Sequence, residues 1–159
     1  MKFNEFYSLT IVHSRDIILV KGVDYMNITK QKSQKTFDKQ AADYDTNIQG
    51  EHARKLYKPI IENLKNKNIH SILDLGCGTG ALLKEIKELN IAEQLFGIDI
   101  SPNMLEIAKN KLGNDATLIL GDSERLPFED SSFDAIVCND SFHHYPQPDI
   151  VEKEVSRCL

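Results

Sequence analysis

The 159-residue chain is short of cysteine, of long apolar runs and of excess charge of one sign. Its three cysteines, Cys77, Cys138 and Cys158, are odd in number and form no C-x-x-C pair. That spacing indicates neither a disulfide framework nor a zinc site, and a reducing cytoplasm is the simplest context for it. No stretch of 18 apolar residues occurs, so nothing in the sequence reads as a membrane span. The apolar pieces Leu9–Val12 and Ile17–Val20 are interrupted by His13, Ser14, Arg15 and Asp16 and do not form a signal-peptide core. Nineteen basic against 24 acidic side chains leave a net charge of −5, without the electrostatic footprint of a nucleic-acid binder. Lysines do cluster between Lys30 and Lys39, and there they read as the solvated face of a helix. A content of 41% hydrophobic and 27% charged residues suits one soluble domain with one core.

Glycine is also scarce, eight in all, yet three fall at alternate positions in Gly76-Cys77-Gly78-Thr79-Gly80. The apolar run Ser71 to Leu75 before them reads as a buried parallel strand. Ala81, Leu82, Leu83, Ile86 and Leu89 after them recur at helical spacing. Strand, glycine turn and helix start make a nucleotide cradle. Glycine tolerates φ > 0 and lets a ligand approach the backbone, and the turn is expected to point free N–H groups at that ligand. The spacing is G-x-G-x-G, and an acid, Asp74, precedes it. A dinucleotide turn leads a pyrophosphate to a helix N-terminus and needs no carboxylate there. A carboxylate suits a ligand that carries an ammonium group.

Ile72-Leu73-Asp74-Leu75-Gly76-Cys77-Gly78-Thr79-Gly80 resembles motif I of class I S-adenosylmethionine (SAM)-dependent methyltransferases. The resemblance implies an α/β Rossmann-like sheet, mostly parallel, with helices on both faces. It also implies SAM as cofactor and S-adenosylhomocysteine as product. Asp74, Gly76, Cys77, Gly78, Thr79 and Gly80 become candidate cofactor residues, although Cys77 equally reads as a small packing residue.

The other segments follow in order. Phe37-Asp38-Lys39-Gln40-Ala41-Ala42-Asp43-Tyr44-Asp45 resembles the lead-in segment of methyltransferases of the ubiquinone/menaquinone-biosynthesis type, which there forms a lid. Tyr44 either touches cofactor or substrate, or packs a helix stripe with Phe37 and Ala41. A second helix is expected from about residue 50 to 67, kinked or restarted at Pro59. Gln94 to Ile100 reads as the second strand, and Asp99 lies 19 residues after Gly80. An acid at this place holds ribose hydroxyls in nucleotide-binding α/β units, with Ile100 beside it. Capping the next helix is the other reading, but Ser101 and Pro102 already supply a helix start. Ala116–Leu120 is the third strand. Gly121-Asp122-Ser123-Glu124-Arg125-Leu126-Pro127-Phe128 after it resembles the family's adenine-binding segment, which gives Asp122 and Ser123 that role; Asp122 also suits an ordinary turn. Phe133–Cys138 is the fourth strand. By resemblance it delivers Asn139 to the methionine part of SAM and His143 or His144 to the methyl donor or acceptor. Either histidine acts as a general base or only shapes the pocket. A last helix covers residues 149–159.

The resemblance spans about 35–159, the cofactor half of such a domain. Residues 1–28 are expected to be an extension of unclear structure, with 1–25 a hairpin-like pair, an irregular arm or a disordered lead, and Met26 an alternative start. Residues 29–159 form the SAM-binding domain. A chain that stops at Leu159 lacks the family's later strands. Four strands in the order 3-2-1-4 would leave the fourth with an open apolar edge, so a homodimer through that edge is expected. The expected reaction is methyl transfer to a small-molecule acceptor, with no metal, nucleic acid or membrane partner. The alternatives are a module that binds SAM or S-adenosylhomocysteine without catalysis, and a nicotinamide-dependent oxidoreductase, which Asp74 and the glycine spacing disfavour.

Overall fold

The computed structural model describes residues 30–159 in full and, as backbone, the strands 7–12 and 16–21. Met26 lies outside the described residues. The elements run β1 (Tyr7–Val12), β2 (Asp16–Lys21), α1 (Lys30–Gln40), α2 (Glu51–Leu64), β3 (Ile69–Leu75), α3 (Ala81–Glu88), β4 (Ala92–Asp99), α4 (Pro102–Leu112), β5 (Thr117–Leu120), β6 (Ala135–Cys138) and α5 (Pro148–Cys158). Short 3₁₀ turns lie at Ala41–Asp43 and Phe142–His144.

One sheet has the order β2-β1-β6-β3-β4-β5. Its β6-β3-β4-β5 part is parallel and matches the expected 3-2-1-4 arrangement. The period-2 geometry of β3 sends successive side chains to opposite faces. Ile72 packs with α2, α3 and α4 on one face. Leu73 and Leu75 pack with α5, Leu126 and Phe133 on the other. Burying a Leu or Ile side chain contributes about 1.5–3 kcal/mol, so these two apolar layers are the main reason the parallel strands hold together.

Asp134 sets the register where β6 meets β3. Its Oδ2 accepts from the backbone N–H groups of His70 and Ser71, each at 2.9 Å. These bonds hold its carboxyl below the usual range. Pro59 sits inside α2, which runs on through it, so the expected restart does not occur.

The expectation of an open edge on the fourth strand is corrected. β1 pairs antiparallel with β6, with Leu9 opposite Cys138 and Val12 opposite Ala135, and β2 pairs antiparallel with β1. The N-terminal segment is therefore the hairpin-like pair among the alternatives, and it occupies the edge on which the dimer was expected. Among the described residues no helix is long and apolar enough to cross a membrane, and no cluster of His, Cys, Asp or Glu could hold a metal ion.

Candidate functional site

The carboxyl ends of β3, β4 and β6 and the loop after β5 open into a cleft roofed by α1 and the segment after it. Ligands of open α/β sheets bind at this side.

The glycine turn forms the floor. Gly76 and Gly80 have φ of +77° and +73°, a region that L-residues with a Cβ seldom adopt. A Cβ on Gly76 would lie 2.7 Å from the Ser141 Cβ, and one on Gly80 would lie 2.8 Å from Leu112. Here the structure departs from the expected free N–H groups. Gly76 and Cys77 N–H donate to the Ile98 carbonyl at 2.9 and 3.0 Å. Gly80 N–H donates to the Cys77 carbonyl at 2.9 Å, and Gly78 N–H donates to Asp99 Oδ2 at 2.8 Å. Three of these partners come from the neighbouring strand and one from the turn itself, so the turn leaves room for a ligand but keeps these four donors for itself.

Asp99 joins two turns. Besides Gly78 it accepts from Ser101 N–H at 2.8 Å. Burial raises its carboxyl despite these bonds. Asp99 thus lines the cleft and also braces the start of α4. Ser101 caps that helix, accepting from Met104 N–H at 3.1 Å.

Asp74 is fully buried. Burial, with Asp99 nearby, pushes its carboxyl up to about 8. Its Oδ1 has no hydrogen-bond partner, and neither has Oδ1 of Asn139, whose Nδ2 donates to the Ala53 carbonyl at 3.3 Å. Buried polar atoms in folded proteins are ordinarily paired, so two unpartnered oxygens on residues lining one cleft mark a place for a ligand's polar groups.

The lead-in segment lies across the roof, and the structure gives a reason for each residue that carried the resemblance. Asp38 accepts from Ser101 Oγ at 2.5 Å, and Ala41 is buried. Asp45 accepts from Thr79 Oγ1 at 2.5 Å and from Lys111 Nζ at 2.7 Å. Burial works against the Asp45 charge, but these bonds outweigh it and lower its pKa. Phe37 meets the His144 ring edge-on at 5.0 Å and Tyr44 at 6.3 Å. Tyr44 lines the cleft, and burial beside Asp140 pushes its hydroxyl up to about 12.

Asp122 and Ser123 line the far end, and Ile100 lines the floor. Asp122 Oδ1 accepts from Glu124 N–H at 3.0 Å, and its Oδ2 accepts from Lys30 Nζ at 2.6 Å. Lys30 also pairs with Glu124. Burial opposes the Lys30 charge, and the two carboxylates more than offset it and raise its pKa. Lys30 thus departs from the solvated lysine face expected of this stretch, whereas Lys32, Lys35 and Lys39 are exposed.

Two of the predicted residues fall outside the cleft lining. Gly80 packs against α4, and His143 stacks on His144 with ring centroids 3.9 Å apart. His144 does line the cleft, and burial beside His143 pushes it down to about 4. Burial likewise lowers His143, against the pull of Asp140. Cys77 is buried, with its thiol pushed well up by burial, as a packing residue would be. Among the lining residues that the sequence reading did not place in the site are Lys30, Ser33 and Asp140. Asp140 left one signal after the fact, a non-glycine residue at φ +54°.

Fold and cleft together place a buried acid, Asp74, and a glycine turn at the carboxyl ends of a parallel sheet. Comparison with known proteins names the class. Residues 73–159 match the model of a methyltransferase domain family, and the chain belongs to that family. The chain is 34% identical to the demethylmenaquinone methyltransferase of Thermotoga maritima over 82% of its own length and 58% of that protein's. It is also 34% identical to the malonyl-[acyl-carrier protein] O-methyltransferase of Legionella pneumophila, over 79% of this chain and 45% of that one. Among solved structures, the complex of the Haloferax volcanii Trm112 methyltransferase activator with a methyltransferase matches with a TM-score of 0.66 and 28% identity, covering 77% of this chain and 55% of that one. The chain spans about half the length of the curated relatives it matches.

Proposed function

We propose that the cleft binds S-adenosyl-L-methionine and serves methyl transfer to a small-molecule acceptor by in-line displacement. The observation that carries this reading is the pair of unpartnered buried acceptors, Asp74 Oδ1 and Asn139 Oδ1, in one cleft of a methyltransferase-family chain. An ammonium group supplies the donors that both lack. Asp99 keeps lone pairs for ribose hydroxyls, and Asp122 accepts from the adenine amine once Lys30 yields its Oδ2. Ile100 and Ser123 bound the nucleoside, while Gly76, Cys77, Gly78, Thr79 and Gly80 keep the floor low enough for the ligand.

When bound, SAM supplies a methyl group on a sulfonium, which is intrinsically reactive. The chain's own part is then proximity and alignment. Among the described residues Asp74, Asp99, Asp122, Glu124 and Asp140 line the cleft against one lysine, Lys30. Such a surface favours a positively charged ligand over the neutral sulfide product, which aids release. A histidine with a pKa near 4 is a weak base at neutral pH. That supports His144, with His143 behind it, as a wall of the acceptor side, with proton removal left to acceptors that ionise readily. The relatives' names support a small-molecule acceptor without fixing which one.

A second reading, a module that binds cofactor or product without catalysis, is favoured by His144, whose ring is pushed down to about 4 by burial and makes a poor base. Titration calorimetry with S-adenosylhomocysteine tests the shared part. Micromolar binding that Asp99→Ala abolishes supports the site, and a folded wild-type chain that does not bind sinks it. Transfer of label from methyl-labelled SAM to a quinol acceptor then separates enzyme from module.

A further inference from the structure

Among the described residues, three buried side-chain atoms lack any hydrogen-bond partner: Ser33 Oγ, Asp74 Oδ1 and Asn139 Oδ1. All three residues line the same cleft. Two of them already have a role in the reading above. The third lies on α1.

A helical serine or threonine ordinarily turns its hydroxyl back to the carbonyl four residues earlier. Thr36 on the same helix does so, donating to the Lys32 carbonyl at 2.9 Å. Ser33, 7% exposed, has an Oγ with no hydrogen-bond partner. Lys30, Ser33 and Phe37 stand at i, i+3 and i+7 and therefore share one helix face. That face crosses the cleft from the carboxylates of Asp122 and Glu124, held by Lys30, to His144, against which Phe37 packs. Ser33 stands one turn from the Lys30 end.

We infer that Ser33 Oγ is a cofactor contact from the roof, donating to an acceptor atom of the nucleoside part. This rests on the proposal that the cleft takes S-adenosylmethionine. The chemistry is complementary: Asp122 accepts from the exocyclic amine, and the ring nitrogens of the purine and the ribose oxygens still need a donor from the opposite side. The roof then senses the ligand directly as well as covering it.

The test is titration of the full chain with S-adenosylhomocysteine, comparing wild type, Ser33→Ala and Thr36→Ala, with melting curves of each unliganded protein. A single neutral hydrogen bond predicts a loss of roughly three- to tenfold in affinity for Ser33→Ala. Its unliganded melting temperature does not fall, because the removed hydroxyl had no partner. Thr36→Ala binds like wild type. The same fold-loss for 5′-methylthioadenosine, measured by displacement, places the contact on the nucleoside. Unchanged affinity in Ser33→Ala, equal losses in both variants, or a loss confined to S-adenosylhomocysteine overturns the inference. Failure of the wild type itself to bind overturns the underlying reading as well, and is distinct from these results.

Discussion

The floor and the roof of the cleft are fastened by different kinds of bond. On the floor, the glycine turn is held by main-chain bonds to Ile98 and by the Asp99 carboxylate bridging Gly78 and Ser101. On the roof, the attachments run through side chains: Asp38 to Ser101, Asp45 to Thr79 and Lys111, and Lys30 to Asp122 and Glu124. Main-chain bonds between strands form and break with the sheet. Side-chain ties on a partly exposed helix can let go one at a time, with far less free energy at stake. The floor is tied into the sheet, and the roof is held by individually weaker ties.

The largest effect is expected on the floor. Asp99→Ala leaves two buried N–H donors unanswered at about 1–3 kcal/mol each. We expect a clear drop in melting temperature together with a loss of S-adenosylhomocysteine affinity beyond tenfold. A variant that keeps its full melting temperature would show that the turn does not depend on this carboxylate.

The next effect reads the floor through pH. In the empty chain Asp74 is pushed up to about 8, so its neutral form dominates at pH 7. A cationic ligand favours the carboxylate. S-adenosylmethionine affinity should therefore rise with pH up to about 8 and then level off, with proton release visible as buffer-dependent enthalpy. The sign for stability is opposite. Between the unfolded carboxylate range and pH 8 the folded state binds one proton more than the unfolded state, so the Asp74 contribution weakens stability as pH rises through that window. Asp74→Asn should flatten both profiles. Equal slopes in wild type and variant would remove Asp74 from the argument.

Smaller effects are expected on the roof. Asp45→Ala and Lys111→Ala each remove a partly exposed tie worth about 0.5–1.5 kcal/mol. Because both break the same junction, the double variant should lose little more than either single one. Ligand affinity should fall several-fold while the melting temperature moves by only a few degrees. A large unfolding effect from either would erase the contrast between roof and floor.

The floor was largely legible in the sequence because its signals are local. An apolar parallel strand ends in Asp74, three glycines follow, and the next strand ends in Asp99; each stands within a few residues of the feature it serves. The partners of the turn's N–H groups were not legible, since Ile98 and Asp99 come from a neighbouring strand and glycine spacing does not encode them. Lys30 and Ser33 were hidden for a related reason. Their helix carries lysines that look solvated, and which face is covered depends on residues some ninety positions away, such as Asp122. The edge pairing of β1 was equally invisible. A short apolar run broken by His13 to Asp16 says nothing about a partner at the far end of the chain.

That pairing also dictates a schedule. Leu9 lies opposite Cys138, so β1 finds its place in the sheet only after a strand far along the sequence is available. The βαβ units of β3, β4 and β5 can assemble from near neighbours well before then, whereas closing so long a loop must precede any reward from β1. A refolding experiment should accordingly find the body first and the completed sheet last.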